Sequence, residues 1–262
     1  MNLDIPSHAR AATSFAILVS LIAPAAHAQD RGVRGAVGLG VSYGPTFLGS
    51  DEQESNLIPI LDLEIGRYGF LNQRGLGLQN SNKFGSGDLK YGFGLGYDFE
   101  ERIAADEPNL NGLPDIEAGA IATLFVEYET GPLTYGVELQ HGLSDEGSDG
   151  TQVKLFGTYS AQVNNRMRLS ATPYFIWADD SWMDTYFSVT PTQSVASGLA
   201  TFDANSGVAQ GGIVLTGSYA LRPRTILFTS LDVSTLTGDA KDSSVSLEDT
   251  QTSLTAGVLF RF

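Results

Sequence analysis

The 262-residue chain contains no cysteine. Structural disulfides and thiolate metal sites are therefore excluded, and an exported protein of this kind must be held together by other means. Basic side chains are also scarce, with 15 Lys and Arg against 30 Asp and Glu and a formal net charge of −15. This balance excludes nucleic acid as a partner, because displacing counterions from phosphate requires clustered Lys and Arg. Histidine occurs only at His8, His27 and His141. After the amino-terminal stretch, no segment approaches the roughly 18 consecutive apolar residues of a membrane helix.

The first 28 residues carry a pattern of their own. Arg10 supplies a small basic region, residues 11–25 are largely apolar, and Ala26-His27-Ala28 forms a small-x-small cleavage site. The apolar run is too short to cross about 30 Å of hydrocarbon, so a cleavable signal peptide over residues 1–28 is expected, followed by one domain over 29–262. Removal of that segment leaves His141 as the sole histidine of the mature chain.

What the remainder does contain is alternation. Leu89, Tyr91, Phe93, Leu95, Tyr97 and Phe99 fall on one face of a strand whose other face carries Lys90, Gly92, Gly94, Gly96 and Asp98. The pattern returns at residues 33–43 and 133–139, and more weakly at 57–65, 116–128, 153–163, 167–177, 213–221 and 225–233. Gly131-Pro132, Asn164-Asn165, Arg222-Pro223 and Gly238-Asp239 supply turn chemistry between them. Longer polar stretches cover 49–56, 100–115, 144–150 and 191–207.

At the end of the chain, Leu254, Ala256, Val258, Phe260 and Phe262 alternate with smaller or polar residues. A last strand ending in Phe260 and Phe262 resembles the signal read by the barrel-assembly machinery of the bacterial outer membrane. Export, absence of cysteine, glycine-rich alternating strands and this ending agree with one another. They predict an all-β fold, a transmembrane antiparallel up-and-down barrel of about ten to twelve strands in a Gram-negative outer membrane.

In such a barrel, charged side chains belong in the lumen. Alternation assigns Arg34, Asp62, Glu64, Lys90, Asp98, Glu127, Glu138, Lys154, Arg168, Asp232 and Arg261 to that face. They would either line a narrow pore or fill a small barrel with ion pairs, and the second reading suits a strand count below the 16 to 18 of open porins. Tyr43, Trp177, Trp182, Tyr186 and Phe187 are expected to form an interfacial girdle. Carboxylates at Asp51-Glu52-Glu54, Asp145-Glu146-Asp149 and Asp179-Asp180 lack the ligand spacing of a calcium loop and read as solvated charges, bridged at most to lipopolysaccharide phosphates. His141, with Ser144 three residues on, is the one candidate base–nucleophile pair, and spacing alone does not bring the two into reach.

Several less common stretches resemble the MipA/OmpV family of outer-membrane proteins: Tyr43-Gly44-Pro45 with Gly49-Ser50-Asp51, Asn109-Leu110-Asn111-Gly112-Leu113, Thr185-Tyr186-Phe187-Ser188-Val189-Thr190, Ser197-Gly198-Leu199, and residues 236–243. Ser188 stands where the family tends to carry Gly, and Ser244 where it tends to carry Pro. The resemblance implies a monomeric barrel, without enzymatic activity, cofactor or metal, that acts as a scaffold in cell-envelope maintenance. Its implied partners are a lytic transglycosylase and a murein synthase. The alternative expectation is a narrow channel for small solutes or ions.

Overall fold

Alternating residues become strands wherever one side chain in two meets an apolar surround. In the computed structural model, which describes residues 32–104, 107–144 and 149–262, twelve such strands close into a barrel. The expected signal peptide lies outside the described residues. The strands are β1 (Val33–Pro45), β2 (Gln53–Ile65), β3 (Gly69–Asn72), β4 (Gly75–Phe84), β5 (Gly87–Asp98), β6 (Gly119–Thr130), β7 (Leu133–Gly142), β8 (Thr151–Gln162), β9 (Met167–Ala178), β10 (Gly207–Arg222), β11 (Thr225–Leu236) and β12 (Thr250–Arg261). Every neighbouring pair is antiparallel, and β12 closes the ring on β1.

The outer face is apolar: Leu39, Val41, Leu78, Phe93, Leu95, Leu124, Leu155, Phe175, Leu215 and Leu254 are all exposed. Tyr43, Tyr97 and Trp177 cluster outside one rim, and Tyr91, Tyr135, Tyr159 and Tyr219 outside the other, as interfacial girdles do. Glycines make room inside. A Cβ on Gly77 would lie 2.4 Å from the ring of Phe70, and one on Gly92 2.8 Å from the ring of Phe125. The two rings meet edge to face at 5.8 Å inside the wall.

Connections at one end are tight turns at residues 66–68, 85–86, 131–132, 163–166 and 223–224. At the other end they are long, covering 46–52, 99–118, 143–150, 179–206 and 237–249. One element breaks this alternation of short and long connections. β3 has four residues, and its turn to β4, Gln73-Arg74, lies inside the wall rather than at a rim.

That shortness leaves two stretches of unpaired edge. β3 reaches only the Leu63–Ile65 end of β2, so among the described residues 53–62 have β1 as their single ladder partner. On the other side, β3 meets β4 only as far as Leu78, and β4 continues alone on that edge to Phe84.

Candidate functional site

Three features distinguish this barrel from a plain cylinder: a cap over the long-loop end, a charged lumen, and the interrupted wall.

The cap is built by short helices in the long connections. α1 (Asp180–Phe187) and α2 (Pro191–Ser197) lie in the connection from β9 to β10, and α3 (Gly238–Asp242) in that from β11 to β12. Asp179 caps α1 by accepting from the Trp182 amide at 3.0 Å. Thr190 caps α2 reciprocally with Gln193, and Gly198, at φ 81°, ends it. The sequence expectation of an interfacial girdle is corrected here for three residues: Trp182, Tyr186 and Phe187 are buried in the cap, packed with Met183, Ile116, Leu236 and Ala240. A second cluster joins Phe47, Ala104, Leu110, Leu113, Val189 and Val245. Phe202 touches both clusters.

Polar groups fasten these pieces. Arg102, 5% exposed, donates to the last carbonyls of α1, Tyr186 O at 2.6 Å and Thr185 O at 3.3 Å. A cation at that end also complements the helix dipole. Burial pushes the Arg102 guanidinium down to about 10, against the opposing pull of Tyr186 and Asp115, so it stays charged at neutral pH. Ser243 donates to Phe187 O, Asp180 accepts from the Ser206 amide, and Gln251 reaches Ser50 O. Gly112, at φ 98°, lies so close to α2 that a Cβ would stand 2.7 Å from the Ala196 carbonyl carbon. Apart from Tyr43-Gly44-Pro45, which ends β1, the scattered stretches that carried the family resemblance thus converge in the cap.

Asp179 and Asp180, expected as solvated charges, are structural acceptors. Burial opposes ionisation of Asp179, yet hydrogen bonds from Thr151 and the Trp182 amide, with the nearby His141, hold its carboxyl below the ordinary value. A depressed carboxyl stabilises the fold above its unfolded value and loses that contribution as pH falls through the folded value. Asp179→Ala is therefore expected to loosen α1 by about 1 kcal/mol. Wild-type cap amides should lose protection, relative to their intrinsic exchange rate at each pH, below that range, an effect that hydrogen-exchange mass spectrometry should find blunted in the variant.

The lumen holds the charged face. Arg74, on the interior turn, donates to Glu127 on β6 at 2.5 Å and to Glu138 on β7 at 2.6 Å. Its guanidinium lies 4.1 Å over the Phe125 ring. Lys90 stands 3.9 Å from Glu127, Lys154 sits 4.5 Å over the Tyr174 ring, and the Tyr174 hydroxyl donates to Asp232 at 3.1 Å. Arg34 pairs with Glu64 at the short-turn end, and Arg168 donates to Gln162. Asp98, near the opposite rim, accepts from the Glu100 amide. These nine expected residues are therefore spread along the barrel rather than gathered into one site. Arg74, which organises the largest cluster, is absent from that expectation, because it falls in a turn where no alternation assigns a face.

His141 faces Thr151, Nδ1 to Oγ1 at 3.0 Å, rather than Ser144. Among the described residues no group of three or more His, Asp and Glu side chains is arranged to hold a metal ion. Phe260 is exposed on the outer face, and Phe262 exchanges backbone hydrogen bonds with Gly35 at 3.1 and 3.3 Å.

Among known proteins, the family described as MltA-interacting protein MipA matches residues 37–262. No curated protein matches. Solved structures similar to the chain include the COG4313 outer membrane channel from Pseudomonas putida F1, at 15% identity and a TM-score of 0.47 over 87% of this chain and 96% of that one. The anion-selective porin from Comamonas acidovorans follows at 11% and 0.41, over 88% and 98%. For OprB of Pseudomonas putida the values are 9% and 0.42, and the 71% of this chain that aligns spans only 48% of that protein.

Proposed function

The chain belongs to the MltA-interacting protein MipA family, and from that membership we propose that it is a scaffold for murein enzymes, binding a lytic transglycosylase and a murein synthase without catalysing a reaction itself. It is an outer-membrane β-barrel, and barrels of this class turn their short connections to the periplasm and their long ones outward. In this reading β12, with Phe260 and Phe262, is what the barrel-assembly machinery recognises, the cap faces the lipopolysaccharide side, and the chain works as a monomer.

The observation that carries the proposal is the open edge of β4 at the short-turn end. The Gln79 amide donates to Tyr68 O at 2.7 Å, toward the β3 side. By strand alternation, Ser81 and Lys83 direct their amides and carbonyls the same way, where β3 no longer reaches. Phe84, 66% exposed, packs edge to face on Tyr128 at the tip of this ledge. An extended segment of a periplasmic enzyme would pair with that edge as an added strand, anchored by Phe84. Lys83, bonded to Asp88 at 2.7 Å, guards the edge against indiscriminate pairing.

Ser81→Pro tests this. Proline is tolerated on an edge strand where its missing amide faces outward, so the barrel should fold and keep its boiling-dependent gel mobility. Binding of a purified lytic transglycosylase should weaken by roughly ten-fold or more, about 1.4 kcal/mol. Undiminished binding to a folded variant would refute the edge as the docking site.

The charges assigned to the lumen, in this reading, fill and brace the barrel. A narrow conduit for ions or small solutes draws on the same charges, and the packed cap weighs against it.

A further inference from the structure

We propose that the barrel wall is open above the β3–β4 hairpin, between β2 and β5, and that this opening admits the acyl chain of a bilayer amphiphile into the lumen.

The opening follows from register. β2 has 13 residues, and the hairpin covers three of them, Leu63 to Ile65. On the other side Gly75 stands beside Gly96, close to the end of β5. A membrane strand needs about 9–11 residues to cross the hydrocarbon, so ten residues of β2 without a second neighbour extend the notch well into it. Above the hairpin only Tyr97 and Asp98 of β5 stand without β4, so the notch is widest at the rim, where two absent strands amount to roughly 14 Å between axes at ordinary strand spacing, and it narrows down the edge of β2.

The edge of β2 carries independent marks of being unpaired. The Gly66 amide bonds to Gly32 O on the β1 side, so by alternation Leu57, Pro59 and Leu61 point their backbone groups into the gap. Proline occupies the middle one of these positions. It has no amide to leave unpaired, and within a sheet proline sits where its missing donor breaks no ladder bond, as Pro173 does where the β8–β9 ladder is interrupted. Open sheet edges do not face hydrocarbon, and irregular backbone at that depth survives only where it is buried in protein or borders a wetted cavity. Among the described residues, no backbone hydrogen bond is made to this edge of β2 above Leu63, so in this proposal the gap communicates with the lumen.

The lining fits an amphiphile. Outside, Leu57 is 73% exposed and Leu76 60%. Inside, Ile58 and Ile60 lie over Gly40, their carbons 3.5 and 3.4 Å from where its Cβ would be, so the lumen beside the gap is apolar. The lower margin is polar, formed by Asn72 and Gln73 with Asn72 Oδ1 bonded to the Arg74 amide. The cap packs over the long-loop end, and the side opening is a route from bilayer to lumen that does not pass through it.

The test uses the absence of cysteine. The variants Ile60→Cys, facing the lumen beside the gap, and Thr216→Cys, facing the lumen on the fully paired β10, are each labelled with a small fluorophore. Each full-length protein is then refolded into dioleoylphosphatidylcholine vesicles with and without phosphatidylcholine carrying a doxyl group on its acyl chain. Quenching several-fold stronger at position 60 than at 216 is the expected result. Equal, weak quenching at both would overturn the proposal. So would Leu57→Cys crosslinking to a second copy while position 60 stays unquenched, because the edge would then be covered by protein. Neither outcome touches the β4 edge, on which the scaffold reading stands.

Discussion

Replacing Arg74 with Met should destabilise the barrel by about 3–5 kcal/mol, the usual consequence of removing one partner from a buried ion cluster. Glu127 and Glu138, 16% and 13% exposed, would face each other with Lys90, 3.9 Å from Glu127, and Lys154, cross-strand from Glu138, as the nearby cations. The loss is double, because Arg74 also ties the β3–β4 hairpin to β6 and β7 across the intervening β5. Urea unfolding of the refolded protein in detergent should show a lower midpoint with the slope preserved. A second variant separates charge from packing. Arg74→Met combined with Glu127→Gln and Glu138→Gln removes the stranded carboxylates and should recover much of the loss, since a neutral cluster of similar volume is tolerated far better than a broken ionic one. If the single variant unfolds at the wild-type midpoint, the cluster has no structural weight.

The second large effect is expected at Phe187. Its side chain is fully buried in the cap, with its ring 6.0 Å from Trp182 and 6.4 Å from Tyr186. Phe187→Ala removes the centre of that cluster and should cost about 3–5 kcal/mol, the range for large-to-small changes in packed cores. The deficit should appear in the cap rather than in the wall, because Phe187 belongs to a connection and not to the strand ladders. Limited proteolysis should then cut the connections at residues 179–206 and 237–249 much faster than in the wild type, while the boiling-dependent mobility of the barrel persists. Loss of that mobility together with the cap would mean that cap and wall fold as one unit.

Much of the wall could be read directly. Tyr91, Phe93 and Leu95 alternate with glycines because the lipid face demands bulk and the lumen face demands room for Phe70 and Phe125. The charges at Lys90, Glu138, Lys154 and Asp232 followed from the same alternation. β3 did not, since four residues, Gly69–Asn72, are too few to display a period of two against their surroundings. Arg74 was hidden for the same reason: a turn has no face to assign. The aromatic run at Trp182, Tyr186 and Phe187 suggested an interface because it follows a strand end, yet its burial is decided by Arg102, Leu236 and Ser243, which are distant in the chain. Local pattern carries no information about such partners. The open edges were legible only in part. Pro59 marks one of them, and its significance depends on which neighbour β2 lacks.

With the cap outward, as in the proposed orientation, the way it is fastened bears on how the cell surface would present this protein. Arg102 and Ser243 each tie one long connection to another, and Gln251 reaches both Ser50 O and Glu248 O, so four of the long connections are joined into one folded surface rather than standing as independent loops. An antibody or a bacteriophage would meet residues brought together from distant parts of the chain. A change in any one connection would alter the epitope contributed by the others, and antigenic variation at this mouth would have to proceed by concerted replacement.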